Sequence, residues 1–293
     1  MIQKKKKSKP KKRWIVPAGV EPTEMDRIIL DWQEQGKLVP TRKLIKTPEQ
    51  IEGIRQAGIL NTAVLDAVAE KIHEGMTTLE VDKLVYEFTT KHGGIPAPLN
   101  YEGFPCSCCT SVNDVVCHGI PSDDEVLEEG DIVNVDCTTI LGGYYADASR
   151  MFVIGKTDEK RQKLVDVAWE CLKIGERVCS KPYVFVGDMG HEIAGHAHKN
   201  GFTVVRDYCG HGVGLKFHES PDIEHYGKRG TGMLLVPGMV FTIEPMVNAG
   251  DYDVCADEED ETGWIVLTED CEPSAQWEHT YVMTENGVEI LTH

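Results

Sequence analysis

Between residues 47 and 75 apolar side chains return every three to four places, at Ile51, Ile54, Ala57, Ile59, Val64, Leu65 and Val68. That spacing predicts a helix with one buried face. Thr47-Pro48 marks its start, because Thr caps a helix well and Pro suits the first turn, and Gly75 closes the segment. Thr77 followed by Glu80 has the form of a capping box and predicts a second helix ending near Gly93-Gly94. A third helix fits about 158–179 and a fourth about 188–200, closed by Gly201. Ahead of these, Pro17, Pro22 and Pro40 punctuate a segment with one short helical pattern from Met25 to Gln35. It reads as an extension that lies on the main domain or links to it. The acidic stretch Asp251 to Glu261 predicts a solvated loop.

The period changes from 3.6 to 2 at Asp131–Thr139. Asn134, Asp136 and Thr138 fall on one face, Val133, Val135 and Cys137 on the other. Leu141-Gly142-Gly143 is a turn signal, and a second strand follows from Tyr145 to Val153. A hairpin centred between Leu141 and Gly142 sets Asp136 opposite Asp147. Two carboxylates that close in an apolar setting repel, so one protonates unless a cation intervenes. The pair is an acid–base dyad or a metal site.

The same layout returns downstream. Gly130 to Asp136 matches Gly238 to Glu244 in length and pattern, each ending in a carboxylate. Asp147 to Val153 resembles Glu278 to Thr284, and Cys117-His118-Gly119-Ile120 echoes His211-Gly212-Val213. Two helices precede the strands each time. The repeat predicts two similar halves, about 47–154 and 155–293, each giving two carboxylates to a shared cleft. Residues 1–46 are then a basic tail and Pro-containing extension, and 47–293 the catalytic domain.

Composition changes this picture in three respects. A hydrophobic content of 41% and a charged content of 27% are ordinary for a soluble globular chain. No apolar run is long enough to span a membrane, and no apolar segment follows the basic N-terminus as a signal peptide requires. The ten cysteines are therefore expected to be free thiols. A zinc site at Cys106, Cys108, Cys109 and Cys117 is disfavoured because its spacing is incomplete. The net charge of −18 is uneven: residues 1–13 hold eight Lys or Arg and no acid, which leaves 22 bases against 48 acids elsewhere. Such a block is either a solvated tail or an anchor for RNA or another polyanion.

The candidate ligands are Asp136, Asp147, His211, Glu244 and Glu278. Four carboxylates and a neutral imidazole carry a charge of −4, which two divalent cations balance. Asp136, Glu244 and Glu278 lie in strand-like apolar runs, where unpaired charge is costly. An oxygen-rich set with one nitrogen suits Mn, Fe(II), Co or Mg better than a thiolate-type zinc site, with zinc still admissible. Two such metals acidify a bridging water and polarise a carbonyl, and Glu244 is placed to shuttle the proton. His118 and His218 fall outside the balanced set and are candidate hydrogen-bond donors to a scissile carbonyl or peptide.

These motifs carry a resemblance. Val116 to Pro121, Asn134-Val135-Asp136, Asp147-Ala148-Ser149, Gly210 to Pro221, Thr242 to Pro245 and Ser274 to Thr280 resemble, in order over about residues 47–293, the methionine aminopeptidases. The resemblance implies the pita-bread fold, an α/β (α+β) architecture with pseudo-twofold halves around a central antiparallel sheet. It implies cleavage of the initiator methionine from nascent proteins when the second residue is small, with two divalent metals (Co, Mn, Fe(II) or Zn). It makes Asp136, Asp147, His211, Glu244 and Glu278 the metal ligands and His118 and His218 the substrate-contacting histidines. Tyr101, Phe104, Cys109, Phe217 and Trp264 match the methionine pocket, whose aromatic and sulfur-bearing walls suit a thioether. The 33 residues from His211 to Glu244 leave no room for a helical insertion, so the chain resembles type I members. Pro98, Phe104 and Trp277 depart from the residues usual there, and no Cys-rich zinc motif precedes residue 47. The resemblance implies a monomer with nascent N-termini as partners; the expected location is the cytoplasm, and the charge of the tail, with the place where such substrates emerge, predicts contact with ribosomal RNA. A Xaa-Pro peptidase of the same fold and a non-catalytic binding scaffold are the alternatives. The pocket residues weigh against the first, the intact ligand set against the second.

Overall fold

The computed structural model describes residues 14–292, and the basic block at 1–13 lies outside them. The extension has a core role. Helix α1 (Glu24–Glu34) is capped by Thr23, whose hydroxyl accepts from Asp26 N while the Asp26 carboxylate accepts from Thr23 N. Asp26 also accepts from Trp14 Nε1 at 2.8 Å and pairs with Arg42, whose guanidinium lies 4.5 Å from the Trp14 ring centre. Trp14, Ile29 and Val39 are buried in the same core as Phe185 and Leu234 of the second half. The segment 14–46 therefore packs as part of the second half's core.

Helices α2 (Pro48–Ala69) and α3 (Thr78–Lys91) start with capping boxes, Thr47 with Gln50 and Thr77 with Glu80. The first ends at Ala69, short of Gly75. The strands that frame the site in this half are β1 (Cys109–Val112), β2 (Ile132–Leu141) and β3 (Tyr144–Val153). Helices α4 (Glu159–Val178) and α5 (Val186–Lys199) open the second half. Its main sheet is built from β4 (Gly210–Gly212), β5 (Glu219–Ile223), β6 (Val240–Ile243), β7 (His279–Thr284) and β8 (Gly287–Ile290), in the order β8-β7-β6-β4-β5.

Each helix pair covers one face of its own sheet. Val64, Leu65, Val68, Val81 and Val85 pack on Val133, Val135 and Cys137. Leu164, Cys171, Met189 and Ile193 pack on Phe241, Ile243 and Tyr281. Because side chains alternate along a strand, the residues between these face away from the helices, and the two sheets turn that polar face toward one cleft.

The turn joining β2 to β3 is Gly142-Gly143, at φ +60° and +86°, the two-residue connection that matches strand twist. It pairs Leu141 with Tyr144, Asp136 with Ser149 and Thr138 with Asp147. This corrects the expected register. The turn is centred one residue later, so Asp136 and Asp147 are diagonal rather than direct neighbours on one face.

The halves meet along β3 and β7. Ser149 and Glu278 exchange backbone hydrogen bonds, and the Thr280 hydroxyl accepts from Asp147 N at 3.0 Å and donates to Asp147 O at 2.8 Å. Within each half a short strand flanks the carboxylate strand: β1 sets Cys109 opposite Asp136, and β4 pairs with β6 at Gly212 and Phe241. Continuing that register three residues sets Cys209 opposite Glu244. The counterpart of the His211 segment is thus β1, where Ser111 holds the equivalent place. The expected echo with Cys117-His118 is corrected accordingly.

Candidate metal centre

The twelve candidate ligand, histidine and pocket residues named from the sequence all line one cleft of about 490 Å³ between the sheets. Asp136 comes from the middle of β2 and Asp147 from β3. His211 lies in β4, Glu244 directly after β6, and Glu278 directly before β7. Ligand atoms of Asp147, His211 and Glu278 lie within 4.8 Å of one another. His211 Nε2 is 3.6 Å from Asp147 Oδ2 and 3.7 Å from Glu244 Oε1. The carboxyls of Asp136 and Asp147 are close enough to share a proton, as are those of Glu244 and Glu278.

The electrostatics of this cluster call for a cation. Among the described residues no lysine or arginine lines the cleft. Burial raises Asp136 to about 6 and Glu244 to about 8. Burial, with the neighbouring carboxylates' charge, pushes Asp147 and Glu278 well above the usual carboxylate range. Burial also drives His211 down to about 3, so its ring is neutral at physiological pH. Its Nδ1 lies 2.9 Å from the Gly212 carbonyl, which fixes the proton there and turns the Nε2 lone pair toward two carboxylates. A lone pair facing carboxylate oxygens at 3.6–3.7 Å is stable when positive charge stands between them. Four carboxylates and one imidazole fit hard or borderline divalent cations in donor type and in charge.

Four residues not singled out from the sequence orient the cluster. The Thr242 hydroxyl donates to Glu244 Oε1 at 2.6 Å and accepts from His211 N at 3.0 Å. Gln276 Nε2 donates to Glu244 Oε2 at 3.0 Å, and the Thr138 hydroxyl donates to Asp147 Oδ1 at 2.7 Å. His225 Nε2 accepts from Glu244 N at 3.0 Å, and burial keeps that ring neutral, at about 3. Thr138, Thr242 and Gln276 each sit two places from a carboxylate along an extended chain. That shared-face spacing was a usable signal; for His225 there was none.

The walls above the cluster are aromatic. Phe104 and His118 each meet Trp264 edge-on, with ring centres 5.5 Å apart. Opposite, Phe217 stacks on His218 at 4.3 Å and tilts against Tyr101 at 4.7 Å. His118 has φ +60°, a left-handed backbone that is strained for histidine and held by its surroundings. Burial lowers it to about 4, and desolvation at the cleft wall lowers the more exposed His218 as well, so both present neutral rings. Cys109 and Cys117 line the cleft as thiols, since burial raises both. Pro98 also lines it. Trp277 does not: its Nε1 donates to Val165 O at 3.2 Å and its ring packs on Trp169. That departure therefore falls on the helix side of the sheet.

Comparison with known proteins returns the same architecture. A family model, metallopeptidase family M24, matches residues 52–285. Methionine aminopeptidase A of Synechocystis is 50% identical over 243 residues, covering 83% of this chain and 94% of that protein. Methionine aminopeptidase 1A of Arabidopsis thaliana is 44% identical, covering 95% of this chain and 69% of its own, so that match reaches into the segment before residue 47. The crystal structure of methionine aminopeptidase from Rickettsia prowazekii superposes with a TM-score of 0.82 at 45% identity, over 85% of this chain and 99% of that one. Prolidase from Pyrococcus furiosus shares the pita-bread fold at TM-score 0.66 and 27% identity, over 85% of this chain and 65% of that one.

Proposed function

The chain belongs to metallopeptidase family M24, among its methionine aminopeptidases, and we propose that it removes the initiator methionine from nascent proteins whose second residue is small. As a metallopeptidase it uses a divalent metal. The observation that carries the finer reading is the buried cluster of four carboxylates and a neutral histidine beneath an aromatic, thiol-lined wall.

Asp136, Asp147, His211, Glu244 and Glu278 would hold two divalent ions, of which Mn, Fe(II), Co and Zn suit the donors. Such ions would supply Lewis acidity toward water and the scissile carbonyl. The residues do the remaining work. Phe104, Cys109, Trp264, Tyr101 and Phe217 pack around the methionine side chain, an apolar, polarisable surface for its thioether. His118, kept neutral by burial, and His218, whose pKa desolvation lowers, present N–H groups to the scissile carbonyl and to a neighbouring peptide carbonyl. Glu244, beside the ions and at the cleft floor, takes a proton from the attacking water and passes it to the departing amine. Thr242, Gln276 and His225 hold Glu244 in that position. No helix of the described residues is long and apolar enough to cross a membrane. We place the protein in the cytoplasm as a monomer acting on emerging N-termini, with residues 1–13 contacting ribosomal RNA through their charge.

The test is hydrolysis by metal-stripped protein reconstituted with Mn or Co, on Met-Ala peptides against Xaa-Pro peptides. Release of methionine from the Met-Ala series is expected. Preference for the Xaa-Pro series would move the assignment to the prolidase branch. Failure to bind either ion, together with inactivity, would make the chain a scaffold.

A further inference from the structure

The loop bearing Phe217 and His218 has little burial of its own. Leu215, Lys216 and His218 are exposed, and Phe217 is half-buried. What fixes this loop is Glu219 at its end. Glu219 Oε1 accepts from Leu215 N at 2.7 Å and from Lys216 N at 3.1 Å, folding the chain back on itself. The other oxygen, Oε2, lies 2.7 Å from Lys46 Nζ. The Lys46 side chain is 2% exposed and that of Glu219 13%, so the ion pair is far less screened than a surface one.

Lys46 is itself held rigidly. Its N donates to Gly238 O at 2.8 Å, Ile45 bridges Met239, and Thr47 caps α2. Its stem packs on the loop's origin: a Cβ on Gly214 would stand 3.6 Å from Lys46 Cε and 2.4 Å from Ile54 Cδ1. At the far side, His218 Nδ1 lies 3.0 Å from the Tyr101 hydroxyl, and the His218 and His211 ring centres are 4.3 Å apart. A chain of contacts thus runs from the junction of the extension and α2, through Glu219, to a cleft-lining histidine.

We propose that Lys46 is a positioning residue that sets His218 over the cleft by clamping Glu219. It touches none of the five candidate metal ligands. The inference rests on the reading of His218 as a substrate contact. Loss of the clamp leaves the turn bonded to an unrestrained carboxylate, with the Tyr101 contacts alone at its far side, and His218 then samples positions off the peptide.

The experiment compares Lys46→Met, Lys46→Arg, Glu219→Gln and His218→Ala with the full-length metal-loaded protein. Steady-state kinetics on a Met-Ala peptide are measured beside metal content and melting temperature. Lys46→Met is expected to lose tenfold or more in kcat/KM with metal content unchanged, and Lys46→Arg to recover most of it. Glu219→Gln gives the same loss if Lys46→Met does not fold. In a His218→Ala background, Lys46→Met should cost less than twofold further, because the same contact is already gone. A tenfold loss that persists undiminished in that background overturns the proposal, as does a Lys46→Met protein within twofold of wild type. A fully active His218→Ala protein would instead overturn the reading of His218 on which the clamp depends.

Discussion

Neutralising Glu244 should stabilise the metal-free protein and remove its response to metal. Glu244 ordinarily titrates at 4.5 and in the fold at about 8, because burial penalises its charged form. A carboxyl whose folded pKa is raised contributes stability that is complete below pH 4.5 and is lost as pH rises toward 8. At roughly 1.4 kcal/mol per pH unit, that window corresponds to about 5 kcal/mol, an order-of-magnitude figure shared with its coupled neighbours. In melting temperature it is roughly 10–20 °C for a chain of this size. Glu244→Gln keeps the local bonds: its amide oxygen accepts from Gln276, and its NH₂ donates to Thr242, whose hydroxyl turns to the His211 carbonyl at 3.4 Å. Thermal melts of chelator-stripped wild type and variant from pH 4.5 to 8 should coincide at the acid end. They should diverge toward pH 8, with the variant more stable. Added Mn²⁺ should reverse the order, since wild type gains a ligand-linked stabilisation the variant lacks. Parallel curves across the whole range, without metal, would refute the argument that buried charge dominates this cluster.

Three further outcomes follow from the contacts around the site. Thr242→Val leaves His211 N–H without its acceptor and Glu244 Oε1 without its hydroxyl donor, and should weaken metal affinity about 10–100-fold by calorimetric titration. Trp14→Ala empties a buried site and strips Asp26 of one donor, and should destabilise the fold by about 3–5 kcal/mol in urea while sparing metal content. Deleting residues 1–13 removes eight positive charges and should lower ribosome co-sedimentation at low salt; equal sedimentation would remove RNA contact as their role.

The prolidase and methionine aminopeptidase neighbours both share this chain's frame. In this chain the pocket is assembled from segments far apart in sequence: Phe104 and Trp264 meet edge-on, as do His118 and Trp264. Trp277, which stands out in the sequence, packs instead on α4 and bonds Val165 O. An unusual residue in a motif is therefore not evidence of altered specificity until its direction is known.

The helices, the β2–β3 hairpin and the five residues that the cleft brings together were legible along the chain, because local rules mark them. Capping boxes at Thr47 and Thr77, period-two alternation through Asp136, and a repeat ending each time in a carboxylate are all visible within short windows. Register was less accessible: moving the turn by one residue changes every cross-strand partner, and only the paired glycines at positive φ decide it. The tertiary structure alone decided what is non-local. It brought His225 to the Glu244 amide, Trp14 into the core of the second half, and Lys46 to Glu219 across 173 residues of chain. Such contacts carry no periodic signature, because their partners are chosen by packing after the elements have formed.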